Sequence, residues 1–147
     1  MSRLWISLRI VLPAIWIGLI LGLSFIETPL KFLAPGITTP LGLGIGRLVF
    51  ISLSVAGWII LVALTLIAQA RPRETKAGWM LIAAMWIIMA IESFAIRPAL
   101  AARSDVIIAG GDPGQSWLHY GYIIAEMLLL IVLAWYIVRV ARRIRVL

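Results

Sequence analysis

Four long apolar segments dominate the chain. They cover about residues 4–27, 48–70, 77–97 and 117–138, and charged residues are rare within them. An α-helix rises ~1.5 Å per residue, so about 20 apolar residues cross the hydrocarbon core of a bilayer. The segments are uniformly apolar and do not alternate with polar residues, as half-buried strands do. The pattern predicts an all-α integral membrane protein, a four-helix bundle that forms one transmembrane domain over residues 1–147.

Composition supports a membrane protein and narrows its chemistry. Of the 147 residues, 63% are hydrophobic and only 13% are charged, far from the usual composition of soluble domains. The absence of cysteine excludes disulfides and thiolate metal sites, and the single histidine excludes haem held by two histidines of one chain. We therefore expect no cofactor. The first segment is too long for the apolar part of a signal peptide and lacks a small-residue cleavage site, so we expect it to be retained.

The positive charges are distributed unevenly between the two sides of the predicted four-pass topology. The net charge is +7, but its distribution favours a membrane surface over nucleic acid. By the positive-inside rule, both termini are expected in the cytoplasm, with the protein in a bacterial inner membrane and membrane lipids as partners. The predicted inner side carries nine of the thirteen basic residues: Arg3, Arg9, Arg71, Arg73, Lys76, Arg139, Arg142, Arg143 and Arg145.

Glycine and proline mark the connections on the predicted outer side. The first connection, residues 29–47, is too apolar for a solvated loop, so we expect non-helical backbone that lies in the interface or over the mouth of the bundle. Pro29 and Pro98 disfavour helical geometry at the residue before them, which predicts that the first and third helices end at Thr28 and Arg97. The similar endings "IETPLK" and "IESFAIRP" indicate a weak repeat of two helical hairpins.

Three of the six acidic residues lie in or against the apolar segments, all in the outer half. A charge at the bilayer centre costs about 2.5–3.5 kcal/mol on insertion scales, so we expect these carboxylates to converge on one another or on basic side chains. Glu74, Asp105 and Asp112 are assigned to ordinary loops. The candidate ligand- or ion-binding residues are Glu27, Lys31, Arg47, Glu92, Arg97, His119 and Glu126.

Several interpretations of this polar set remain open. The residues are either structural ion pairs that join the helices, or a site that binds a divalent cation or relays protons. Because basic residues are close by, we favour a proton or an anionic substrate over a metal. A third interpretation is a lipid cleft in which Arg47 or Arg97 meets an acidic headgroup. A metal is left open, although no Glu-x-x-His spacing is present and the basic neighbours compete with a cation. His119 lies seven residues before Glu126 on the same helix face, but it can equally be an interfacial residue facing headgroups.

The motifs "IWIGLILGLSFIETP", "RPAL" and "LHYGYIIAE" resemble a small four-pass family typified by transmembrane protein two-hundred-and-five. The matching positions are Trp16 with Gly18, Pro29, Gly46, and His119 with Glu126. Glu27 departs from the family pattern, and so does Glu126, where that family usually has an amide. The run "ETPLKFLAPGITTPLGLGIGRLVF" is similar to a run shared by uncharacterised bacterial membrane proteins. Neither resemblance implies an established activity.

These patterns lead to competing predictions of function. The first is a small module that binds or conducts a proton, an ion or a small or lipidic ligand in an intramembrane polar pocket open to the outer side. The second is an accessory or assembly subunit, bound to a membrane-protein partner or to copies of itself, in which the polar residues are structural. A membrane enzyme acting on lipid is a third. The sequence shows no nucleophile and base in a known arrangement, no zinc-protease motif and no nucleotide fingerprint, so we predict no enzymatic activity.

Overall fold

Four long helices in sequence make up the computed structural model of this protein, which describes residues 2–144 and the side chains of residues 3–143. Helix α1 is α-helical over Ser2–Ile20, π-helical over Leu21–Glu27, and ends with short turns Thr28–Leu30 and Lys31–Leu33. Helix α2 covers Thr39–Ala68. Helix α3 joins Lys76–Ile91, the π-helical Glu92–Ile96 and Arg97–Ile108. Helix α4 covers Leu118–Ile144.

The predicted all-α four-helix bundle is confirmed, and the described residues contain no strand. Each helix packs against the next one along the chain, and α4 packs back against α1. Large side chains such as Trp16, Leu61, Met85 and Leu133 fill the centre and are almost fully buried. Each helix includes a segment long and apolar enough to cross a membrane: Arg3–Leu33, Thr39–Ala68, Lys76–Ile108 and Leu118–Arg143.

Three helices extend beyond their predicted segments at one end of the bundle, and α4 extends beyond its predicted end at residue 138 at the other end. Helix α1 does not end at Thr28 but reaches Leu33, and α3 does not end at Arg97 but reaches Ile108. The prediction of non-helical backbone throughout residues 29–47 is also wrong, because α2 begins at Thr39. At ~1.5 Å per residue these helices are about 45 Å long, so they exceed a hydrocarbon core of about 30 Å.

The glycine-rich start of α2 is helical because its local signals favour a helix. The Thr38 hydroxyl caps the helix by accepting a hydrogen bond from the Leu41 N–H, and Pro40 occupies the first turn, where its missing N–H costs nothing. A Cβ on Gly42 would overlap the Phe32 ring, and one on Gly46 would lie 3.0 Å from Lys31 Nζ. These two glycines therefore allow the end of α1 to approach α2 closely.

Both prolines follow a π-helical segment, which explains why they do not end their helices. In an α-helix the proline ring clashes with the carbonyl four residues earlier. The wider π turn shifts the hydrogen bonding by one residue, so that the Arg97 N–H donates to the Glu92 carbonyl. In α1 the Thr28 hydroxyl donates to the Leu23 carbonyl at 2.9 Å. The chain therefore passes Pro29 and Pro98 without losing its helical direction.

The π-helical segments also bear on how the two helix endings predicted as a repeat align with each other. Aligned on their prolines, Ser24-Phe25 in α1 corresponds to Ser93-Phe94 in α3, each serine lying five residues before its proline. In this register Glu92 corresponds to Leu23, not to Glu27. The two acids that the sequence analysis paired are therefore not equivalent positions, and they face different surroundings.

Basic residues from three parts of the chain meet at the end of the bundle that carries both termini, which we call the basic end. Arg9 donates to the carbonyls of Ile67, Ala68 and Ala70, which joins α1 to the end of α2. Arg143 donates to the Arg73 carbonyl, which joins α4 to the link between α2 and α3. The predicted grouping of positive charge is thus reproduced by the fold, except for Arg145, which lies outside the described residues.

Candidate functional site

At the opposite end the four helices separate around a cleft of about 950 Å³. This volume is at the upper limit of pockets that hold small ligands, about 300–1,000 Å³. All four helices contribute to its walls, and the end of the cleft nearer the middle of the bundle is its floor. We refer to it as the open cleft. Its floor is polar and comprises Ser24, Ser54, Ser93 and Glu126; its middle walls include Phe25, Phe50, Ile51, Arg97, Tyr122 and Ile123; its rim carries Lys31, Arg47, Arg103 and His119.

Glu126 is the acidic residue of the floor and is only 1% exposed. Helix α4 places it one turn below Tyr122, whose hydroxyl donates a hydrogen bond to Glu126 Oε1. The other carboxylate oxygen, Oε2, is buried and has no partner in hydrogen-bonding geometry among the described residues, although the Ser24 hydroxyl, also without a partner, lies close to this carboxylate. A buried polar atom without a partner costs about 1–3 kcal/mol, so this oxygen is a strong acceptor for a ligand or a proton.

Glu92 lies behind the floor and is fully buried. Its Oε2 is 3.6 Å from Arg97 NH2, an ion pair without a hydrogen bond, and neither of its carboxylate oxygens has a hydrogen-bond partner among the described residues. The π-helical turn that contains this residue also places Arg97 in the wall of the cleft. There the Arg97 guanidinium donates to the Phe50 carbonyl of α2 at 3.1 Å and lies 5.8 Å from the centre of the Tyr122 ring.

Glu126 in the floor, Glu92 behind it and Arg97 in the wall form a buried group with one more acidic than basic side chain. The charge of Arg97 acts on both Glu92 and Glu126, and it is the basic group close to them. Two carboxyl groups therefore share one guanidinium in a region shielded from water. An additional positive charge or a proton is needed to balance the charges of these three side chains.

Three basic residues of the rim already have hydrogen-bond partners within the protein. Lys31 contacts Glu27 at 3.2 Å, and Arg47 contacts Asp105 at 2.5 Å as well as the Ala101 carbonyl at 3.1 Å. Arg103 donates to the carbonyls of Pro113 and Gly114, at 3.3 and 2.5 Å. These contacts tie helices and loops together, and Lys31 and Arg47 have acidic partners, whereas Arg103 bonds to carbonyls alone and its charge is not balanced by an acid.

The structure brings together most of the predicted candidate residues, but not all. Glu92, Arg97 and Glu126 converge as predicted, and Lys31, Arg47 and His119 lie above them on the rim. His119 is exposed, which agrees with its interpretation as an interfacial residue. Glu27 does not join the other two acids, because it pairs with Lys31 and does not line the cleft.

Some residues of the site were missed by sequence reasoning. Two of the floor serines are joined by a hydrogen bond, since the Ser54 and Ser93 hydroxyls lie 3.3 Å apart, and the Trp58 indole N–H donates to Ser93 at 3.1 Å. The Ser24 hydroxyl has no partner among the described residues. Isolated serines in apolar helices are too common to stand out, but the repeated Ser-Phe before each proline was a usable signal. Asp105 was assigned to a loop because α3 was expected to end before it.

The acidic residues do not form a metal site in the part of the chain that the structure describes. No three His, Cys, Asp or Glu side chains there are grouped closely enough to hold a metal ion. The polar groups that line the open cleft are the Glu126 carboxylate, the hydroxyls of serine, threonine and tyrosine side chains, basic side chains and the His119 imidazole, beside aromatic faces.

Comparisons with known proteins add no relatives to this description. No family model, curated protein or solved structure matches the chain. The resemblance to the four-pass family therefore stays a prediction, and the function is argued from the site alone.

Proposed function

We propose that this protein is a non-catalytic membrane module that binds a small amphiphilic organic cation in the open cleft, with the ammonium group of the ligand at Glu126. The observation that carries this proposal is the buried Oε2 oxygen of Glu126, which lines the cleft without a hydrogen-bond partner among the described residues. An ammonium group supplies both the missing donor and the missing positive charge.

The charge distribution favours a cation over an anion. Lys31 and Arg47 of the rim are paired with Glu27 and Asp105, while Arg103 bonds to loop carbonyls. At and behind the floor, the carboxyls of Glu126 and Glu92 share one guanidinium, that of Arg97. With both carboxyls ionised, a bound cation neutralises this group, whereas a bound anion adds to its negative charge.

The walls favour a ligand with an apolar part. Between the rim and the floor the cleft is lined by aromatic and aliphatic side chains, among them Phe25, Phe50, Ile51 and Ile123. Phe50 and Tyr122 pack edge to face with ring centres 5.3 Å apart, which gives this part of the cleft a rigid wall. An alkyl chain or ring bound here buries apolar surface at about 25 cal/mol per Å².

The packing below the floor supports binding from one end of the bundle. The side chains of Trp16, Leu53, Met89 and Leu129 are at most 2% exposed and fill the space between the helices. A ligand therefore enters and leaves by the rim. A proton can occupy the same oxygen of Glu126, Oε2. The organic cation and a proton therefore compete for that oxygen.

The proposed location is a bacterial inner membrane with both termini in the cytoplasm. Four helices are long and apolar enough to span a membrane, and the grouping of basic residues near both termini supports this orientation through the positive-inside rule. In this orientation the open cleft faces the outer side of the membrane, where it receives ligands from outside the cell or from the outer leaflet.

A second candidate function, an accessory subunit with structural polar residues, is favoured by a different observation. Arg47 bonds to Ala101 and Asp105, and Arg97 bonds to the Phe50 carbonyl, so both arginines join α2 to α3. Under this alternative, neutralising Glu126 lowers the stability of the bundle and no selective ligand is found. Co-purification of a partner protein in mild detergent is its positive test.

Three probes with one chain length test the proposed function: hexylammonium, hexanol and hexanoate, titrated calorimetrically into the detergent-solubilised protein. A charge-assisted hydrogen bond contributes about 1.5–3 kcal/mol, so hexylammonium should bind at least about tenfold more tightly than hexanol, and hexanoate most weakly. Equal affinity for the three probes contradicts the proposal.

Two matched variants test whether the preference for hexylammonium arises at Glu126. Glu126→Gln keeps the size of the side chain but removes its charge, and it should reduce the preference for hexylammonium over hexanol to less than about twofold. Glu27→Gln removes a carboxylate at the same end of the bundle, but outside the cleft lining. It should keep the preference of the unmodified protein. Loss of the preference in Glu27→Gln alone assigns the cation to the rim and contradicts the proposal.

A further inference from the structure

A second cavity lies at the basic end, far from the open cleft. Its volume is about 270 Å³, and its walls come from α1, α4 and the link between α2 and α3. Three arginines and one glutamate line it: Arg9, Arg139, Arg143 and Glu74. The cavity therefore has an excess of two positive charges.

Glu74 is held in place by neighbours from three directions, although the sequence analysis assigned it to an ordinary loop. Its side chain is 5% exposed. Tyr136 donates to Oε2 at 3.0 Å, and Arg9 NH1 is 3.6 Å from the same oxygen. Oε1 accepts from the Thr75 backbone N–H at 2.8 Å and lies 3.9 Å from Arg143 NH1. With both oxygens satisfied, Glu74 orients two of the arginines and does not need a ligand itself.

Arg9 is the deepest basic residue of this cavity, with a side chain only 2% exposed. Its NH2 group donates to three carbonyls at the end of α2, but its Nε–H has no hydrogen-bond partner among the described residues. An anion gains the most binding free energy from a buried guanidinium N–H that has no partner, because this donor is already desolvated. Arg139 and Arg143 line the same cavity on successive turns of α4.

We propose that this basic cavity binds a phosphate group, the phosphate of an anionic lipid headgroup or a free phosphate ion. Guanidinium groups bind phosphate oxygens in a planar, two-pronged geometry, which suits a site with three arginines. The apolar side chains of Ile6 and Val140 also line the cavity, beside its three arginines. This site is independent of the cation site proposed for the open cleft.

The test uses the full chain in detergent and two matched arginine variants of α4. Arg139→Gln removes an exposed cation that lines the cavity, whereas Arg142→Gln removes an exposed cation on the same helix that does not line it. Native mass spectrometry with phosphatidylglycerol and phosphatidylcholine measures retained lipid, and calorimetry with inorganic phosphate measures the free ion. A single lipid-facing arginine contributes about 1 kcal/mol, which corresponds to about a fivefold change in affinity.

We expect the unmodified protein to retain one phosphatidylglycerol in preference to phosphatidylcholine, Arg139→Gln to weaken this about fivefold, and Arg142→Gln to change it less than twofold. If inorganic phosphate binds with the same dependence on Arg139, free phosphate is the source; if only the lipid binds, the headgroup is. Equal losses in the two variants, or binding of neither probe, overturn the proposal. Arg139 is exposed and its replacement does not disturb the core, so loss of folding does not obscure the result.

Discussion

The Tyr122 hydroxyl donates a hydrogen bond to Glu126, one turn below it on the same helix, and this contact satisfies only one of the two carboxylate oxygens. The carboxylate is thereby held against the floor of the open cleft with its second oxygen available. The binding proposal depends on this relationship, since a carboxylate satisfied on both oxygens would be structural.

The Glu126→Gln variant should therefore fold with unchanged or higher stability. The amide keeps an acceptor for the Tyr122 hydroxyl and removes an uncompensated buried charge, which should raise the free energy of unfolding by about 1 kcal/mol. Detergent-induced unfolding followed by circular dichroism measures this difference. A loss of more than about 2 kcal/mol means that the carboxylate stabilises the bundle and favours the accessory-subunit alternative.

Tyr122→Phe should have the opposite effect. Removing the hydroxyl leaves Glu126 without a donor on either oxygen, so the free energy of unfolding should fall by about 1–3 kcal/mol. Tyr120, whose side chain is 59% exposed, provides the control on the same helix. Tyr120→Phe should change stability by less than about 0.5 kcal/mol. Similar values for the two variants would show that the Tyr122 hydroxyl contributes nothing specific.

Arg97→Gln should be the most damaging single change at the site. It leaves the fully buried Glu92 without its counter-charge, and breaking a buried ion pair by removing one partner costs about 3–5 kcal/mol. The double variant Glu92→Gln with Arg97→Gln removes both charges and should recover most of this loss. The unfolding free energies of the two single variants and the double variant measure the coupling. Additive losses would mean that the two residues do not interact.

Two glycines of α2 should respond to alanine in opposite ways. At Gly44 an added Cβ meets nothing within 4 Å, so Gly44→Ala should stabilise the helix by about 0.5–1 kcal/mol. At Gly57 the Cβ would lie 3.1 Å from atoms of both Trp16 and Met89, so Gly57→Ala should be destabilising by about 1–3 kcal/mol. Thermal unfolding of the two variants checks the difference. No gain at Gly44 would argue against a helical start of α2.

The sequence predicted the helices well because uniform hydrophobicity over about 20 residues has few physical alternatives. It failed at one end of the bundle, where Gly42, Gly46 and the two prolines resembled loop signals. The glycines are needed for close contact with Phe32 and Lys31, and π turns accommodate the prolines. These contacts depend on the neighbouring helix, so they cannot be predicted from the sequence of one helix alone.

The site was predictable only in part for a similar reason. Burial cost alone predicted that Glu92 and Glu126 converge with Arg97, since an isolated charge in apolar surroundings is unfavourable. For Glu27 the same reasoning allowed either the other two acids or a basic side chain as the partner, and the structure pairs it with Lys31, four residues further along the same helix. This reasoning overlooked Glu74, which lies in a short link but is buried by Arg9 and Tyr136.

The most direct test of the cation site is carbon-13 NMR of protein labelled at the glutamate carboxyl carbons, titrated with hexylammonium. The chain has four glutamates, and Glu→Gln variants assign their signals. The binding proposal predicts a saturable shift of the Glu126 signal, a smaller one for Glu92, and none for Glu27 and Glu74. An unchanged Glu126 signal at saturating hexylammonium, or equal shifts of all four, would contradict it.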